Sequence, residues 1–223
     1  MNTEKLKIYA ISGLGADRRV FDFLNLDLEL VPIDWIEPKK NESIENYAER
    51  LSKIIDTRHD FILMGVSFGG LVAVEISKIL KPKLTILISS VATKKEIPKF
   101  LKLIGQTEII NLIPKELFNP PLKLAHYLFG ARNKNLLNQI LQDTDLRFAK
   151  WAVQELTKWR NEEHIPNLIR IHGTHDKLLP WKGTGNVELI EEGEHFMIVD
   201  HADELSRVIN QKILYFEKED LVS

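Results

Sequence analysis

Short apolar runs alternate with stretches of helical periodicity along most of this chain. Runs typical of buried strands occupy residues 6–11, 61–64, 84–88, 168–172 and 187–190. Residues 26–33 begin by alternating apolar and polar positions, which indicates a strand near a sheet edge. Apolar residues recur at helical spacing in residues 44–55, 71–80 and 202–216. This alternation predicts an α/β fold with a mostly parallel, doubly wound sheet of about six strands.

One long segment interrupts the alternation. From about Thr93 to His164 we find no convincing strand, only helical stretches separated by prolines and a glycine. We therefore predict a core formed by residues 1–92 and 166–223, and an inserted helical lid, residues 93–165, over the carboxyl edge of the sheet. The last lid helix is the clearest, with Asp143 or Thr144 as its expected N-cap.

Two tryptophans, Trp151 and Trp159, lie on the apolar face of that last lid helix. Large aromatic residues at helical spacing usually pack in a core, so packing of the lid on the body is the favoured interpretation. Contact with a substrate is the alternative interpretation, and Phe196 is a further candidate for such contact. All three residues are therefore candidates for substrate binding.

Composition narrows the function classes. The 223 residues carry a net charge of −2, which gives no sign of a nucleic-acid partner. The absence of cysteine excludes disulfides, thiolate metal sites and a cysteine nucleophile. We see no secretion signal at the start of the chain and no apolar run of membrane-spanning length. We therefore expect a cytoplasmic protein without a membrane span, and leave its oligomeric state open.

A G-x-S-x-G pattern joins the apolar run 61–64 to the helical run that begins at Leu71. Its members are Gly65, Ser67 and Gly69. A serine at the apex of a tight strand-to-helix turn has a strained backbone, and its neighbours two positions away must be very small. Such a turn exposes the hydroxyl at the carboxyl end of the sheet, above the N-terminus of the following helix. Ser67 is therefore the candidate nucleophile.

The loop after the first strand contains Gly13, Leu14 and Gly15. A dinucleotide fingerprint would need a third glycine at the position of Arg18, so that interpretation fails. We expect instead an oxyanion-binding loop, in which the N–H groups of Leu14 and Phe68 face a developing negative charge.

Two further candidates follow the last two strands. Asp176 comes after the next-to-last strand and His195 after the last, so the order along the chain is serine, aspartate, histidine. Taken singly, Asp176 could be a turn residue and His195 a surface histidine, while Lys177 is expected to face solvent. A metal site formed by His172, His175 and Asp176 is a further alternative, disfavoured because nothing else resembles a ligand cluster.

These motifs resemble those of the α/β-hydrolase superfamily over nearly the whole chain. The segments that carry the resemblance are Gly13–Gly15, the turn around Ser67, His172–Asp176 and Gly193–His195. The run from Gly193 to Met197, with Glu204 and Leu205, is similar to the plant-type methylesterase and hydroxynitrile-lyase branch and to other lidded esterases. The chain departs from the pattern at Ser12, where a histidine is usual, and in lacking two leading strands.

The resemblance implies a serine hydrolase that acts on a carboxylic ester or thioester of a small, largely apolar molecule. Ser67, Asp176 and His195 would form the catalytic triad, and neither a cofactor nor a metal would be needed. Carbon–carbon bond hydrolysis, a lyase reaction or peptide cleavage can use the same three residues. A catalytically slow protein that binds a small molecule is another alternative. A haloalkane dehalogenase is disfavoured, because it needs a carboxylate where this chain has Ser67.

Overall fold

A computed structural model describes residues 6–107, 109–182 and 186–220. Within these residues six strands form one sheet, and they are β1 (Lys7–Ile11), β2 (Glu29–Ile33), β3 (Phe61–Val66), β4 (Leu84–Ile88), β5 (Leu168–Gly173) and β6 (Glu188–Ile190). Their order across the sheet is β2-β1-β3-β4-β5-β6, and all five neighbouring pairs are parallel. The predicted parallel, six-stranded sheet is confirmed, and β2 lies at an edge as its alternating pattern indicated.

Helices connect the strands and cover both faces of the sheet. They are α1 (Ile44–Ser52), α2 (Phe68–Leu80), α3 (Lys99–Gln106), α4 (Ile109–Leu112), α5 (Leu122–Phe129), α6 (Lys134–Asp143), α7 (Leu146–Lys158), α8 (Met197–Asp200) and α9 (Ala202–Asp220). Two short 3-10 helices cover Arg18–Phe21 and Lys115–Phe118.

The sheet separates two apolar cores. Tyr9 and Ile11 of β1 pack into the core that contains α1 and α2, whereas Ile8 and Ala10 pack into the core that contains α9. This follows from strand geometry, since successive side chains point to opposite faces. Every residue of β3 and β4 is buried, as expected for central strands covered on both sides.

The sheet reverses its winding direction between β1 and β3. From β1 the chain moves outward to β2, and then returns to place β3 on the other side of β1. Ligands in open α/β sheets bind at such a switch point, outside the carboxyl ends of the strands. The loop after β1 and the turn after β3 both lie at this place.

Helices α3 to α7 form the insertion between β4 and β5. The hydroxyl of Thr144 links it to the core by donating a hydrogen bond to the carbonyl of Gly15 over 3.1 Å. The N-cap of α7 is Asp145, which accepts a hydrogen bond from the N–H of Arg147 over 2.8 Å. The prediction of Asp143 or Thr144 as this cap was therefore wrong, because α6 continues through Asp143 and Thr144 ends it.

None of the helices in the described part of the chain combines the length and the apolar character that crossing a membrane requires.

Candidate active site

Ser67 lies at a strained turn between β3 and α2. Its backbone angles are φ 51° and ψ −121°, a conformation that residues other than glycine rarely adopt. Two hydrogen bonds hold this turn, since the N–H of Ser67 donates to the carbonyl of Ile88 over 2.9 Å and the hydroxyl of Ser90 donates to the carbonyl of Ser67 over 2.7 Å. Neighbouring β4 thus maintains the conformation that presents the Ser67 side chain.

The glycines around Ser67 are required by close backbone contacts. A methyl group on Gly65 would lie 2.5 Å from the carbonyl oxygen of Gly69, and one on Gly69 would lie 2.1 Å from that of Ser12. Both distances are far shorter than a carbon–oxygen contact allows. The steric demands of the turn therefore explain why glycine occupies positions 65 and 69.

The structure brings Ser67, His195 and Asp176 together. The Nε2 atom of His195 lies 2.8 Å from the hydroxyl oxygen of Ser67, and its Nδ1 atom lies 2.8 Å from Oδ2 of Asp176. A carboxylate only accepts hydrogen bonds, so Nδ1 carries the proton and Nε2 presents a lone pair to the serine hydroxyl. This geometry allows His195 to withdraw the proton of Ser67.

The Asp176 carboxylate is buried and fully engaged. Its Oδ1 atom accepts hydrogen bonds from the N–H groups of Leu178 and Leu179, each over 2.9 Å. Burial by itself would raise the pKa of this carboxyl, but the positive charge of His195 when it is protonated and the hydrogen bonds from His172, His195 and Leu179 outweigh burial and hold the pKa well below its usual range. Asp176 is therefore ionised at neutral pH and can stabilise a positive charge on His195.

The loop after β1 approaches Ser67 closely. A methyl group on Gly13 would lie 3.4 Å from Cβ of Ser67, and Leu14 lines the same cavity as Ser67 and Phe68. Phe68 is the first residue of α2, so its N–H has no acceptor within the helix. The two N–H groups predicted to bind an oxyanion thus belong to segments that meet beside the serine hydroxyl.

An apolar cavity of about 340 Å³ opens onto Ser67 and His195. This is within the size range of small-molecule sites. The inserted helices and their connections supply most of its apolar wall, namely Phe100, Leu101, Phe118, Pro120, Leu128, Phe129, Leu137, Ile140, Leu141, Val153 and Leu156. A ligand in this cavity would place an apolar group against the insertion and a reactive group beside Ser67.

The three aromatic candidates for substrate binding have different positions. Phe196 lines the cavity beside His195. The indole N–H of Trp151 donates to the carbonyl of Glu42 over 2.8 Å, and that of Trp159 donates to Oε1 of Glu75 over 2.8 Å. Both tryptophans are buried where α7 packs on the core, and they border a separate surface groove rather than the cavity at Ser67. Their position matches the packing interpretation.

Sequence reasoning missed an ion pair at the edge of the cavity. Lys177 is exposed, as expected, but it also lines the cavity, pairs with Glu194, and places its Nζ 5.3 Å from the ring centroid of Tyr127. The pair forms because the turn after β5 and the loop after β6 bring these side chains together. The signal that could have revealed the pair is in the sequence, where Lys177 directly follows Asp176 and the oppositely charged Glu194 directly precedes His195.

The structure also bears on the alternative of a metal site at His172, His175 and Asp176. Within residues 6–107, 109–182 and 186–220 there is no group of three or more histidine, aspartate or glutamate side chains arranged to hold a metal ion. His172, one of the suggested ligands, instead has its Nε2 atom 2.6 Å from the carbonyl oxygen of Leu179.

Solved structures with the same architecture include several enzymes. A putative lipase from Acinetobacter baumannii superimposes with a TM-score of 0.72 at 15% identity, covering 98% of this chain and 86% of that one. A thermophilic esterase from Thermogutta terrifontis gives 0.69 at 13% identity, covering 95% and 90%. The RedJ thioesterase from the prodiginine biosynthetic pathway in Streptomyces coelicolor gives 0.64 at 14% identity, covering 93% and 90%.

No protein-family model and no curated protein sequence matches this chain. The structural similarities nevertheless extend over almost its whole length. The chain has the α/β-hydrolase fold.

Proposed function

We propose that this protein is a serine hydrolase that cleaves a carboxylic ester or thioester of a small, largely apolar molecule. One observation carries the proposal: Ser67 is hydrogen-bonded to His195, and His195 to Asp176, each over 2.8 Å, at the wall of an apolar cavity. Structures of similar fold that are named as an esterase, a putative lipase and a thioesterase support the same reaction class.

In the proposed reaction Ser67 attacks the carbonyl carbon of the bound substrate. As the new C–O bond forms, His195 Nε2 accepts the hydroxyl proton, and the Asp176 carboxylate stabilises the resulting imidazolium. The N–H groups of Leu14 and Phe68 donate to the negative oxygen of the tetrahedral intermediate. Loss of one such donor typically lowers kcat about a hundredfold to a thousandfold.

The second half of the reaction releases both products. His195 gives its proton to the departing alcohol or thiol as the tetrahedral intermediate collapses, which leaves an acyl group on Ser67. A water molecule then loses a proton to His195 and attacks the acyl carbon, and the proton returns to Ser67 as the carboxylic acid leaves.

The helices between β4 and β5 serve as the lid in this proposal. In it, residues 93–165 are the lid and residues 1–92 and 166–223 are the core, and the lid helices supply the apolar wall against which the substrate packs. Among the aromatic candidates, Phe196 contacts the substrate because it lines this cavity. Closure by such a segment excludes water from the reacting atoms.

The test is pre-steady-state hydrolysis of p-nitrophenyl esters, from acetate to decanoate, by the wild type and Ser67→Ala. We expect a burst of p-nitrophenol equal to the enzyme concentration in the wild type and none in Ser67→Ala. Ser43→Ala, which removes a hydroxyl at the N-cap of α1, is the matched control and should keep the burst.

Fluorophosphonate labelling separates the ways in which the proposal could fail. Turnover that survives in Ser67→Ala would show that another residue is the nucleophile. Labelling of Ser67 without turnover of any ester or thioester would exclude the proposed substrates and leave carbon–carbon hydrolysis, a lyase reaction, peptide cleavage or simple ligand binding.

A further inference from the structure

A second histidine, His172, contacts the acid of the proposed triad. It is the penultimate residue of β5, it is 3% exposed, and it is not among the residues that line the cavity. Its Nε2 atom lies 2.6 Å from the carbonyl oxygen of Leu179 and 3.4 Å from Oδ2 of Asp176. Since both oxygens only accept hydrogen bonds, Nε2 carries a proton that is shared unequally between them.

These contacts close the turn that carries Asp176. The N–H of Leu179 donates to Oδ1 of Asp176 over 2.9 Å, while the carbonyl of the same residue accepts from His172. The turn is therefore held at two points, by the carboxylate of Asp176 and by the imidazole of His172. His172 is fixed by the strand that bears it, and Leu179 is itself buried. The imidazole thus connects β5 to the turn that bears the carboxylate of Asp176.

We propose that His172 is a positioning residue for the hydrolytic reaction, whose Nε2–H anchors the Leu179 carbonyl and so keeps Asp176 Oδ2 aligned on His195. The inference rests on the proposed function, because it assigns a role within the same site. His172 does not touch the substrate, so its effect reaches the chemistry only through Asp176. Loss of the donor lets the turn relax, and the imidazolium of His195 then receives less support.

Two charged side chains directly adjoin Asp176 and His195 along the chain. Lys177 follows Asp176 in the turn after β5, Glu194 precedes His195 in the loop after β6, and these two side chains form an ion pair with each other. The pair is left intact in the variants below. A change in the pH profile can therefore be assigned to the contacts of Asp176 rather than to a lost surface charge.

Two substitutions of His172 test the proposal. His172→Phe keeps a planar ring but has no N–H, whereas His172→Gln keeps an N–H near the position of Nε2. For ester hydrolysis we expect His172→Phe to lower kcat at least about tenfold with little change in KM, since a misplacement of about 1 Å can cost roughly a hundredfold. The acid limb of the kcat/KM profile should move to lower pH, and His172→Gln should restore most of both.

A substrate-independent readout keeps this test apart from the test of the function itself. The pH dependence of fluorophosphonate labelling at Ser67 should shift in His172→Phe as the hydrolysis profile does. The low-field proton resonance of His195 Nδ1–H should weaken or move. His126→Phe, which removes a 2.7 Å hydrogen bond to Asn138 within the inserted helices, should change neither.

Failure of the proposed function would appear as a wild type that hydrolyses no ester or thioester, whether or not Ser67 is labelled. Failure of the present inference would appear as an active wild type whose pH midpoint is unchanged in His172→Phe, even if that variant were less stable. A midpoint that moves to higher pH would also contradict the inference, because it would mean that Asp176 had kept its place and lost only a donor.

Discussion

At the scale of single residues, the turn at Ser67 requires that position 65 carry no side chain. In Gly65→Ala the new carbon would meet the carbonyl oxygen of Gly69 at 2.5 Å and the Cα of Gly70 at 2.6 Å. Both obstacles are backbone atoms, so the strand and the helix would have to separate. We expect urea unfolding to show a loss of about 1–3 kcal/mol, because overpacking of this kind shifts the backbone. Ester hydrolysis should fall as well.

Gly13→Ala is the matched control for that substitution. Its methyl group would meet nothing closer than 3.4 Å, which is an ordinary contact with Cβ of Ser67. The free energy of unfolding should therefore stay within about 0.5 kcal/mol of the wild type. Equal destabilisation by the two substitutions would show that the close approach at Gly65 is not what limits the turn.

The arrangement of Ser67, Asp176 and His195 was predictable because each residue follows a strand of a parallel sheet. Such strands end at a common edge, so residues distant in sequence meet there without any knowledge of side-chain packing. His172 and Lys177 could not be assigned in the same way. Their roles depend on how the turn after β5 folds back. This turn places Leu179 against His172 and Glu194 beside Lys177.

At the scale of elements, α7 is attached to the core by Trp151 within the helix and by Trp159, which directly follows it. Trp159→Phe would remove the hydrogen bond to Glu75, whose carboxylate is 3% exposed and would lose a donor. A hydrogen bond to a charged group contributes about 1.5–3 kcal/mol, so we expect a loss of that size in urea unfolding. KM for p-nitrophenyl esters should not change, because Trp159 does not line the cavity at Ser67.

Leu156→Ala provides the comparison on the same helix. Leu156 lines the cavity, so its truncation should raise KM for the longer esters. If Trp159→Phe raised KM severalfold at unchanged stability, Trp159 would contact the substrate and the cavity would extend beyond the residues that line it here.

Helical periodicity could identify the buried face of α7 but not the surface against which that face packs. An apolar stripe is equally compatible with a core contact and a ligand contact. The distinction comes from partners far away in sequence, such as the carbonyl of Glu42 for Trp151. The start of the helix was misjudged for a related reason, because neighbouring Asp143, Thr144 and Asp145 all have side chains suited to capping.

At the scale of the whole molecule, the core and the insertion differ in how far the sequence determines them. Strand order follows from hydrophobic runs and right-handed crossovers, which are general rules. The packing of α3 to α7 has no comparable rule, since these helices lie over an edge rather than on a sheet face. Several large apolar side chains between residues 99 and 129 are exposed, namely Phe100, Leu103, Leu112, Leu117, Leu122, Leu124 and Tyr127. Exposed apolar residues of this kind leave the position of a helix weakly specified.

This contrast yields a prediction for hydrogen exchange. Segments with few buried contacts open at low free-energy cost, so backbone amides of α3 and α5 should exchange faster than those of β3 and β4. A long-chain alkylphosphonate attached to Ser67 would fill the apolar cavity and contact both helices, whereas a methylphosphonate would not reach them. The long-chain adduct should therefore slow exchange in α3 and α5 relative to the methyl adduct.

Helix α9 is the internal reference for that measurement, because it contributes no residue to the cavity wall. Its exchange should be the same in both adducts. Equal protection of α3 and α5 by the two adducts would mean that closure does not depend on the acyl chain. No protection by either would mean that these helices do not act as a lid, and the apolar group of the substrate would then have to bind against the core alone.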